Sequence, residues 1–325
     1  MAEKSKSVPD ERRAAWGERY TPRYSGVATF MRCALVEQAA RWEEVDVGFV
    51  GVPFDGGVTN RPGARHGPRA LREQSTLMGM VNHQTGMRPY DHLRAADLGD
   101  VYIEGVYALD VAIAEIERHF ARLAAAGVVP ISAGGDHSIT LPILRALSEY
   151  HGQPLGLIHF DAHCDTGPEL FGHKHHHGGP FRVAAEDGVL DPKRTVQIGI
   201  RGPGEPLWAF SYESGMTVIH IEDLYAMGLP AVIEKAREVV GDGLTYLSFD
   251  VDGLDPVYAP GTGTPEVGGF NTFEAMQMLR GLAGVNFIGG DVVEVSPPFD
   301  SSNITALNGA QMMFEILCLI AATRQ

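Results

Sequence analysis

The chain is poor in cysteine, in long apolar runs and in basic residues. Its 325 residues include three cysteines, Cys33, Cys164 and Cys318, which are too few and too scattered for a disulfide framework. No continuous apolar run approaches the roughly 20 residues of a membrane helix, because the longest covers only residues 316–322. The N-terminus mixes both charge signs and has no apolar segment typical of a secretory leader. We therefore expect a cytoplasmic protein with no membrane partner.

Basic residues are fewer than acidic residues. The chain has 26 Lys and Arg and 41 Asp and Glu, which gives a formal net charge of −15. A nucleic-acid-binding surface would be basic, so this balance argues against nucleic acid as a partner. It is compatible with a small cationic substrate drawn in by the field of the protein. It is equally compatible with an acidic surface that only keeps the chain soluble. Composition otherwise fits a globular protein, with 44% hydrophobic and 21% charged residues.

Short apolar segments recur along the chain, each bounded by Gly, Asp or Pro. They cover residues 45–54, 95–101, 127–135, 155–163, 195–202, 216–224, 244–252 and 286–297. Continuous runs of Val, Ile, Leu and Phe are typical of strands buried on both faces. Several of these segments are separated by helical patterns, at residues 67–82, 108–126, 138–150, 229–240, 271–284 and 304–323.

Alternation of strands and helices over nearly the whole chain predicts one α/β domain. The expected architecture is a three-layer αβα fold whose mostly parallel, doubly wound sheet has about eight strands. A barrel accommodates the same strand count, but uneven spacing and a long loop at residues 160–195 favour the open sheet. Residues 1–44 are predicted to form an irregular, partly helical N-terminal arm, and residues 45–325 a single domain.

Histidine is concentrated in one part of the chain. Of 13 histidines, eight lie between residues 137 and 177. Such clustering is typical of metal sites and of acid–base chemistry.

Polar side chains follow four of the predicted strands at the point where each strand ends. They lie at residues 134–138 (GGDHS), 161–165 (DAHCD), 250–255 (DVDGLD) and 294–297 (EVSP). In open α/β sheets, ligands bind beyond the carboxyl ends of the strands. Alternate residues of an extended segment face the same way, so Asp161, His163 and Asp165 can converge on one point. Asp250 and Asp252 can do the same.

Several carboxylates buried together require compensating positive charge, which metal ions supply. A carboxylate-rich set with one imidazole per metal suits Mn²⁺, leaves Fe²⁺, Co²⁺ and Ni²⁺ open, and excludes an all-cysteine zinc site. Six ligand side chains exceed what one catalytic ion uses and fit two ions about 3.5–4 Å apart. A single such segment would more simply cap a turn, but four of them in one chain favour the metal site.

These segments resemble the ureohydrolase family, which includes arginase, agmatinase, guanidinobutyrase, guanidinopropionase and proclavaminate amidinohydrolase. Besides GGDHS and DAHCD, the matching motifs are RPGARHGPRALRE (61–73), HGGPF (177–181), VQIGIRG (196–202), SFDVDGLDP (248–256), PGTGTPE (260–266) and VEVSP (293–297). The resemblance covers about residues 45–325. It implies a catalytic domain with two Mn²⁺ ions that hydrolyses a guanidino group to urea and an amine, assembled as a homotrimer or homohexamer.

The resemblance also implies the metal ligands. One metal would be held by His137, Asp161, Asp165 and Asp250. The other would be held by Asp161, His163, Asp250 and Asp252. Asp161 and Asp250 would therefore bridge the two ions.

Three residues are implied to have catalytic roles. Asp165 would accept a hydrogen bond from the attacking water, in addition to binding metal. His177 resembles the residue that returns a proton to the departing amine. Glu294 resembles the carboxylate that orients the planar guanidinium through paired N–H bonds.

The loop from Thr166 to His177 is expected to line the tail of the substrate. An arginase would carry Asn and Ser here for an α-amino acid group, and the Thr-Gly-Pro that opens this loop disfavours arginine. We therefore expect agmatine or 4-guanidinobutyrate as the substrate type. The predicted substrate contacts are Thr166, His173, His176 and Glu294.

One departure from the family pattern leaves another substrate open. Related chains read HGT or HGS where this one reads HGG, so Gly179 removes a hydroxyl near His177. Free guanidine or a biguanide, with Ni²⁺ as the metal, is the alternative. Two further alternatives are a metal-dependent deacetylase, which has a related fold but no second strand-end DxD, and a non-catalytic partner subunit, which should have lost ligands.

Overall fold

The computed structural model describes residues 22–204 and 207–324. Its strands are β1 (Val47–Val52), β2 (Ala95–Asp100), β3 (Val129–Gly134), β4 (Leu155–Phe160), β5 (Leu190–Ile200), β6 (Thr217–His220), β7 (Thr245–Asp250) and β8 (Phe287–Val293). Its α-helices are α1 (Gly67–Ser75), α2 (Pro89–His92), α3 (Leu109–Ala125), α4 (Thr140–His151), α5 (Pro180–Glu186), α6 (Ala209–Ser214), α7 (Ile221–Met227), α8 (Leu229–Val240), α9 (Thr272–Gly281) and α10 (Ile304–Ala322).

The strands form one sheet in the order β2-β1-β3-β8-β7-β4-β5-β6. Every pair of neighbours is parallel. The strand formed last along the chain, β8, lies between β3 and β7, so that Ile131 is paired with Gly290 and Phe249 with Val292. The predicted open α/β sheet is confirmed, and it is entirely parallel.

Helices cover both faces of the sheet. Successive side chains of a strand point to opposite faces, so each strand contributes apolar side chains to both. In β4, Ile158 and Phe160 pack in one hydrophobic cluster together with side chains of α1, α8, α9 and α10. Leu155 and Leu157 belong to a second cluster with side chains of α3, α4 and α5. These two clusters give the three layers and explain why the strands read as continuous apolar runs.

The helices that were not predicted from the sequence pattern are short. Helices α2, α5, α6 and α7 have four to seven residues. Fewer than two helical turns leave no repeated apolar stripe to recognise. The predicted loop at residues 160–195 contains α5, and β5 begins there at Leu190.

Helix α10 lies in the core. The segment Ser301–Ala322 is long and apolar enough to cross a membrane by length and composition alone. An 18-residue window within it has a mean hydropathy of 1.5, but 78% of that window is buried inside the protein. The helix packs against α1 and β8. The helix itself was predicted at residues 304–323. Its overall apolar length was missed by counting only uninterrupted apolar runs, because Asn308, Gln311 and Glu315 divide its sequence.

The described part of the predicted N-terminal arm packs on the domain, whereas residues 1–21 lie outside the described residues. Phe30 is fully buried, and its backbone N–H donates to Asp97 Oδ2 at 2.8 Å. Trp42, in the second hydrophobic cluster, is also buried. The domain boundary at residue 44 stays a prediction.

Candidate binuclear metal centre

The sheet order brings the four polar strand ends together. Strands β3, β8, β7 and β4 are consecutive neighbours at the centre of the sheet. Since they are parallel, their carboxyl ends meet at one edge. This edge therefore carries the segments that follow them, which contain His137, Glu294, Asp250 and Asp161.

Three carboxylates surround the imidazole of His137. Its Nδ1 lies 2.9 Å from Asp165 Oδ2, and 3.2 Å from both Asp161 Oδ2 and Asp250 Oδ2. His137 is fully buried, and its Nδ1 has no hydrogen-bond partner among the described residues. A buried nitrogen without a partner, facing three carboxylate oxygens, is an arrangement that a metal ion would satisfy.

A second group forms around His163, on the other side of Asp161. His163 Nδ1 lies 3.3 Å from Asp161 Oδ1 and 3.1 Å from Asp252 Oδ2. Asp161 thus directs one oxygen toward each imidazole, which is the position of a bridging carboxylate. Together the two groups offer carboxylate oxygens and one imidazole each, a donor set that fits two divalent cations.

The electrostatics of the carboxylate cluster also favour the binding of cations. Burial and the neighbouring carboxylates of Asp252 and Asp161 raise the pKa of Asp250 well above its ordinary value. Burial and Asp161 raise the pKa of Asp252 to about 6. Carboxylates crowded in a buried site resist ionisation unless positive charge is supplied.

Two residues of the site adopt a left-handed backbone conformation that side chains other than glycine rarely adopt. The φ angle is 51° at Asp165 and 64° at Glu294. Such conformations cost energy and cluster at functional sites, where the surrounding structure holds them. Neither conformation was predicted from the sequence.

His177 and Glu294 form a buried pair beside the metal ligands. His177 Nδ1 lies 2.9 Å from Glu294 Oε1, and His177 Nε2 lies 2.7 Å from the Thr59 hydroxyl and 3.1 Å from the Thr59 backbone nitrogen. Burial alone would lower the pKa of His177, but the Glu294 carboxylate raises it to about 9. The other oxygen, Glu294 Oε2, is buried with no hydrogen-bond partner among the described residues, so it is available to an N–H donor.

Sequence reasoning missed the role of His159. Gln197 Nε2 lies 3.3 Å from His159 Nδ1 and donates to the backbone oxygen of Cys164, so His159 Nδ1 is the acceptor. His159 Nε2 therefore carries the proton and donates to Asp161 Oδ2 at 2.7 Å. The signal was present in the alternation of His159, Asp161, His163 and Asp165, which extends the acidic motif two residues back into β4.

A cleft of about 670 Å³ opens above the ligands. Its lining includes Arg61, His163, Asp165, His176, His177 and Glu266. Three of the four predicted substrate contacts are absent from its lining. Glu294 is buried beside His177, which does line the cleft. The Thr166 hydroxyl is buried against Ser211 Oγ, at 2.8 Å, and the Leu207 carbonyl. His173 lies on the exposed turn of the loop, where its backbone pairs with Leu170.

Glycines shape the wall of the cleft around His176. The Gly167 N–H donates to the Gly178 carbonyl at 2.8 Å, and a Cβ on Gly167 would come within 2.7 Å of that oxygen. The His176 imidazole donates through Nε2 to the Pro168 carbonyl at 2.9 Å. A Cβ on Gly179 would lie 3.0 Å from that nitrogen. The unusual glycine in HGG thus provides the space that the imidazole fills.

Residues 45–319 match the sequence model of the Arginase family. The chain belongs to this family. It is 53% identical over 306 residues to guanidinopropionase of Pseudomonas aeruginosa, covering 92% of this chain and 93% of that protein. It is 44% identical over 306 residues to guanidinobutyrase of the same organism, covering 94% of this chain and 95% of that protein.

Solved structures of the family agree with the fold. Proclavaminate amidino hydrolase from Streptomyces clavuligerus has a TM-score of 0.88 at 36% identity, covering 93% of this chain and 100% of that one. Trypanosoma cruzi formiminoglutamase with Mn²⁺ has a TM-score of 0.78 at 27% identity, covering 89% of this chain and 98% of that one.

Membership in the arginase family settles the reaction class. The protein is an arginase-family ureohydrolase, which hydrolyses C–N bonds of guanidino compounds. Enzymes of the family depend on a binuclear metal centre, and the His and Asp groups described above are able to hold metal. The deacetylase alternative is therefore set aside.

Proposed function

We propose that the protein hydrolyses a short guanidino acid, 3-guanidinopropionate or 4-guanidinobutyrate, to urea and the corresponding amino acid. The names of the two Pseudomonas relatives support this class of substrate. This proposal adds 3-guanidinopropionate to the substrate types expected from the sequence and places guanidino acids ahead of agmatine. The difference lies in the tail, which is a carboxylate in the acids and an ammonium in agmatine.

The observation that carries the proposal is the division of charge along the cleft. Asp165 and Glu294 mark the end where a guanidinium would be held. Arg61 and His176 lie in the wall. Arg61 makes no ion pair among the described residues, and its guanidinium lies 5.2 Å from the centre of the Phe299 ring. The cationic guanidinium of Arg61 would attract a carboxylate tail and repel an ammonium tail.

We propose Mn²⁺ as the metal at both positions, held by the six predicted ligands. They are His137, Asp161, His163, Asp165, Asp250 and Asp252. When bound, two divalent cations lower the pKa of water toward neutrality and so supply a nucleophile at physiological pH. Unfilled, the carboxylate cluster would remain electrostatically unbalanced.

The remaining roles follow from the positions of the side chains. Glu294 Oε2, the oxygen without a partner, would accept from the substrate guanidinium and fix its plane. The Asp165 carboxylate would accept a hydrogen bond from the attacking water and direct its lone pair. His177 would donate a proton to the amine as the C–N bond breaks, since its raised pKa keeps it protonated at neutral pH.

Urea release from a substrate panel tests the proposal. The panel contains 3-guanidinopropionate, 4-guanidinobutyrate, agmatine, arginine, guanidine and a biguanide, each with Mn²⁺ or Ni²⁺. We expect the highest kcat/KM for a guanidino acid with Mn²⁺. Preference for guanidine or a biguanide with Ni²⁺ would replace this substrate with the alternative. No urea from any compound by fully metallated protein would support the non-catalytic partner subunit.

Assembly and location also stay proposals. We propose a cytoplasmic homotrimer or homohexamer whose partner is a small substrate with a cationic guanidino group, and not nucleic acid or a membrane. Light scattering of the metallated protein would give the number of subunits. A monomer would contradict the proposed assembly.

A further inference from the structure

Asp291 is a fully buried carboxylate in the middle of the sheet that the proposed reaction does not use. It lies in β8, where it is paired in register with Ser132 on one side and Ser248 on the other. Three hydroxyl groups donate to it. They are Thr140 Oγ1 at 2.7 Å, Tyr246 OH at 3.0 Å and Ser248 Oγ at 2.7 Å.

One of those hydroxyls connects Asp291 to the candidate metal centre. Ser248 Oγ lies 2.8 Å from His137 Nε2. An ionised carboxylate only accepts hydrogen bonds, and a serine hydroxyl has a single proton to donate. Because Ser248 donates that proton to Asp291, its oxygen must accept from His137. The Nε2 of His137 therefore carries a proton, and its Nδ1 is the nitrogen left to bind a metal.

We propose that Ser248 and Asp291 are positioning residues, which fix the tautomer and ring orientation of His137 and thereby raise the metal affinity of its half of the centre. This inference rests on the proposed metal centre. Neither residue lines the cleft, so both act through His137. Hydrogen-bonded partners of a metal-binding histidine orient the ring and increase its basicity, and their loss typically weakens metal binding about 10- to 100-fold.

The two halves of the centre differ in this respect. His137 is fully buried, and its second nitrogen is held by a chain of buried groups. His163 is partly exposed, and its second nitrogen faces Glu266 Oε1 at 3.6 Å, beyond hydrogen-bonding distance. The hydrogen-bonded chain from His137 through Ser248 to Asp291, here called the relay, therefore serves one half of the centre only. Its loss should weaken the binding of one metal ion and leave the binding of the other unchanged.

Titration of metal-free protein with Mn²⁺ by calorimetry tests the inference. We expect the parent protein to bind two ions per chain. In Ser248→Ala, one ion should bind about 10- to 100-fold more weakly, with the other unchanged. At saturating Mn²⁺ the kcat should return toward that of the parent, because the serine touches no substrate. Thr195→Val is the matched control, since it removes a buried hydroxyl bond to the Asp191 carbonyl far from the relay.

A purely structural role would give a different result. Ser248→Ala would then lower the unfolding temperature of the metal-free protein and leave both affinities as in the parent, which would overturn the inference. Should that variant fail to fold, Thr140→Val removes one donor to Asp291 and should weaken the same ion to a smaller extent. Unchanged binding in Thr140→Val would then overturn the relay. A parent protein that binds no Mn²⁺ would contradict the proposed metal centre.

Discussion

The floor and the rim of the cleft are built in different ways. The floor consists of the predicted metal ligands at the ends of central strands. His163, Asp165, Asp250 and Asp252 line the cleft, and His137 and Asp161 are fully buried next to them. Backbone N–H groups hold several of them, as when the N–H of Asp252 donates to Asp250 Oδ1 at 2.9 Å. The rim consists of residues 59–61 and 166–178, which lie in loops. Phe171 of the rim is 90% exposed.

This difference separates the chemistry from the choice of substrate. The floor can change only together with the central strands, whose side chains are packed on both faces. Loops tolerate substitution because few packed side chains depend on them. We infer that relatives sharing this floor differ in the guanidino compound they accept mainly through their rims. The experiments below test that division, beginning with the largest expected effect.

Asp250→Asn should remove both metal and activity, because it takes one negative charge from a carboxylate that lies 3.2 Å from His137 and is predicted to bridge the two metals. Loss of a group behind a ligand typically costs about 10- to 100-fold in affinity or activity, so loss of the ligand itself should exceed about 100-fold. Metal content by mass spectrometry and urea release measure the two effects. Asp242→Asn, an exposed site, is the control. Full activity in Asp250→Asn would refute the bridging assignment.

His177→Asn should lower kcat about 100- to 10,000-fold while both metals stay bound, because the change removes a proton donor and leaves the ligands in place. His177 lies where floor and rim meet, so the result shows to which of them it belongs. Steady-state kinetics with parallel metal analysis provide the measurement. Loss of metal in this variant would assign His177 to the floor.

Arg61→Gln should raise the KM for guanidino acids about 10-fold, because hydrogen bonds to charged groups contribute about 1.5–3 kcal/mol, less at an exposed side chain. The KM for agmatine should not rise, and kcat should change little for either compound. Arg118→Gln, on the exposed side of α3, controls for the loss of a surface charge. Equal effects on acids and agmatine would show that Arg61 does not recognise the tail.

His173→Ala should change kcat/KM less than about twofold, since exposed side chains away from a site rarely matter. The same substitution at His176, which lines the cleft, should have the larger effect. Comparing the two variants on one guanidino acid locates the functional part of the rim. An equal loss of kcat/KM in both variants would show that His173 also contributes to the substrate site.

The floor could be predicted because it follows from local rules. Continuous apolar runs identified the strands, and the polar residues after them placed the candidate site at the carboxyl ends of the sheet. The roles of the individual ligands came from the resemblance to the ureohydrolase family. The rim could not be predicted in this way. The side-chain direction of Thr166 depends on Ser211, which is 45 residues away, and the backbone conformation of Asp165 depends on its surroundings. Arg61 is the first residue of the RPGARHGPRALRE motif, which does not indicate its position, and only the fold shows that it lines the cleft.

The position of β8 couples the candidate site to completion of the chain. Strands β1 to β3 form one half of the sheet and strands β4 to β7 the other, and β8 joins them. His137 belongs to the first half, whereas Asp161 and Asp250 belong to the second. A growing chain that has not yet supplied residues 287–293 cannot hold the two halves in register, so the ligands assemble only at the last stage of folding. Metal capture would then distinguish a finished molecule from a partly folded one.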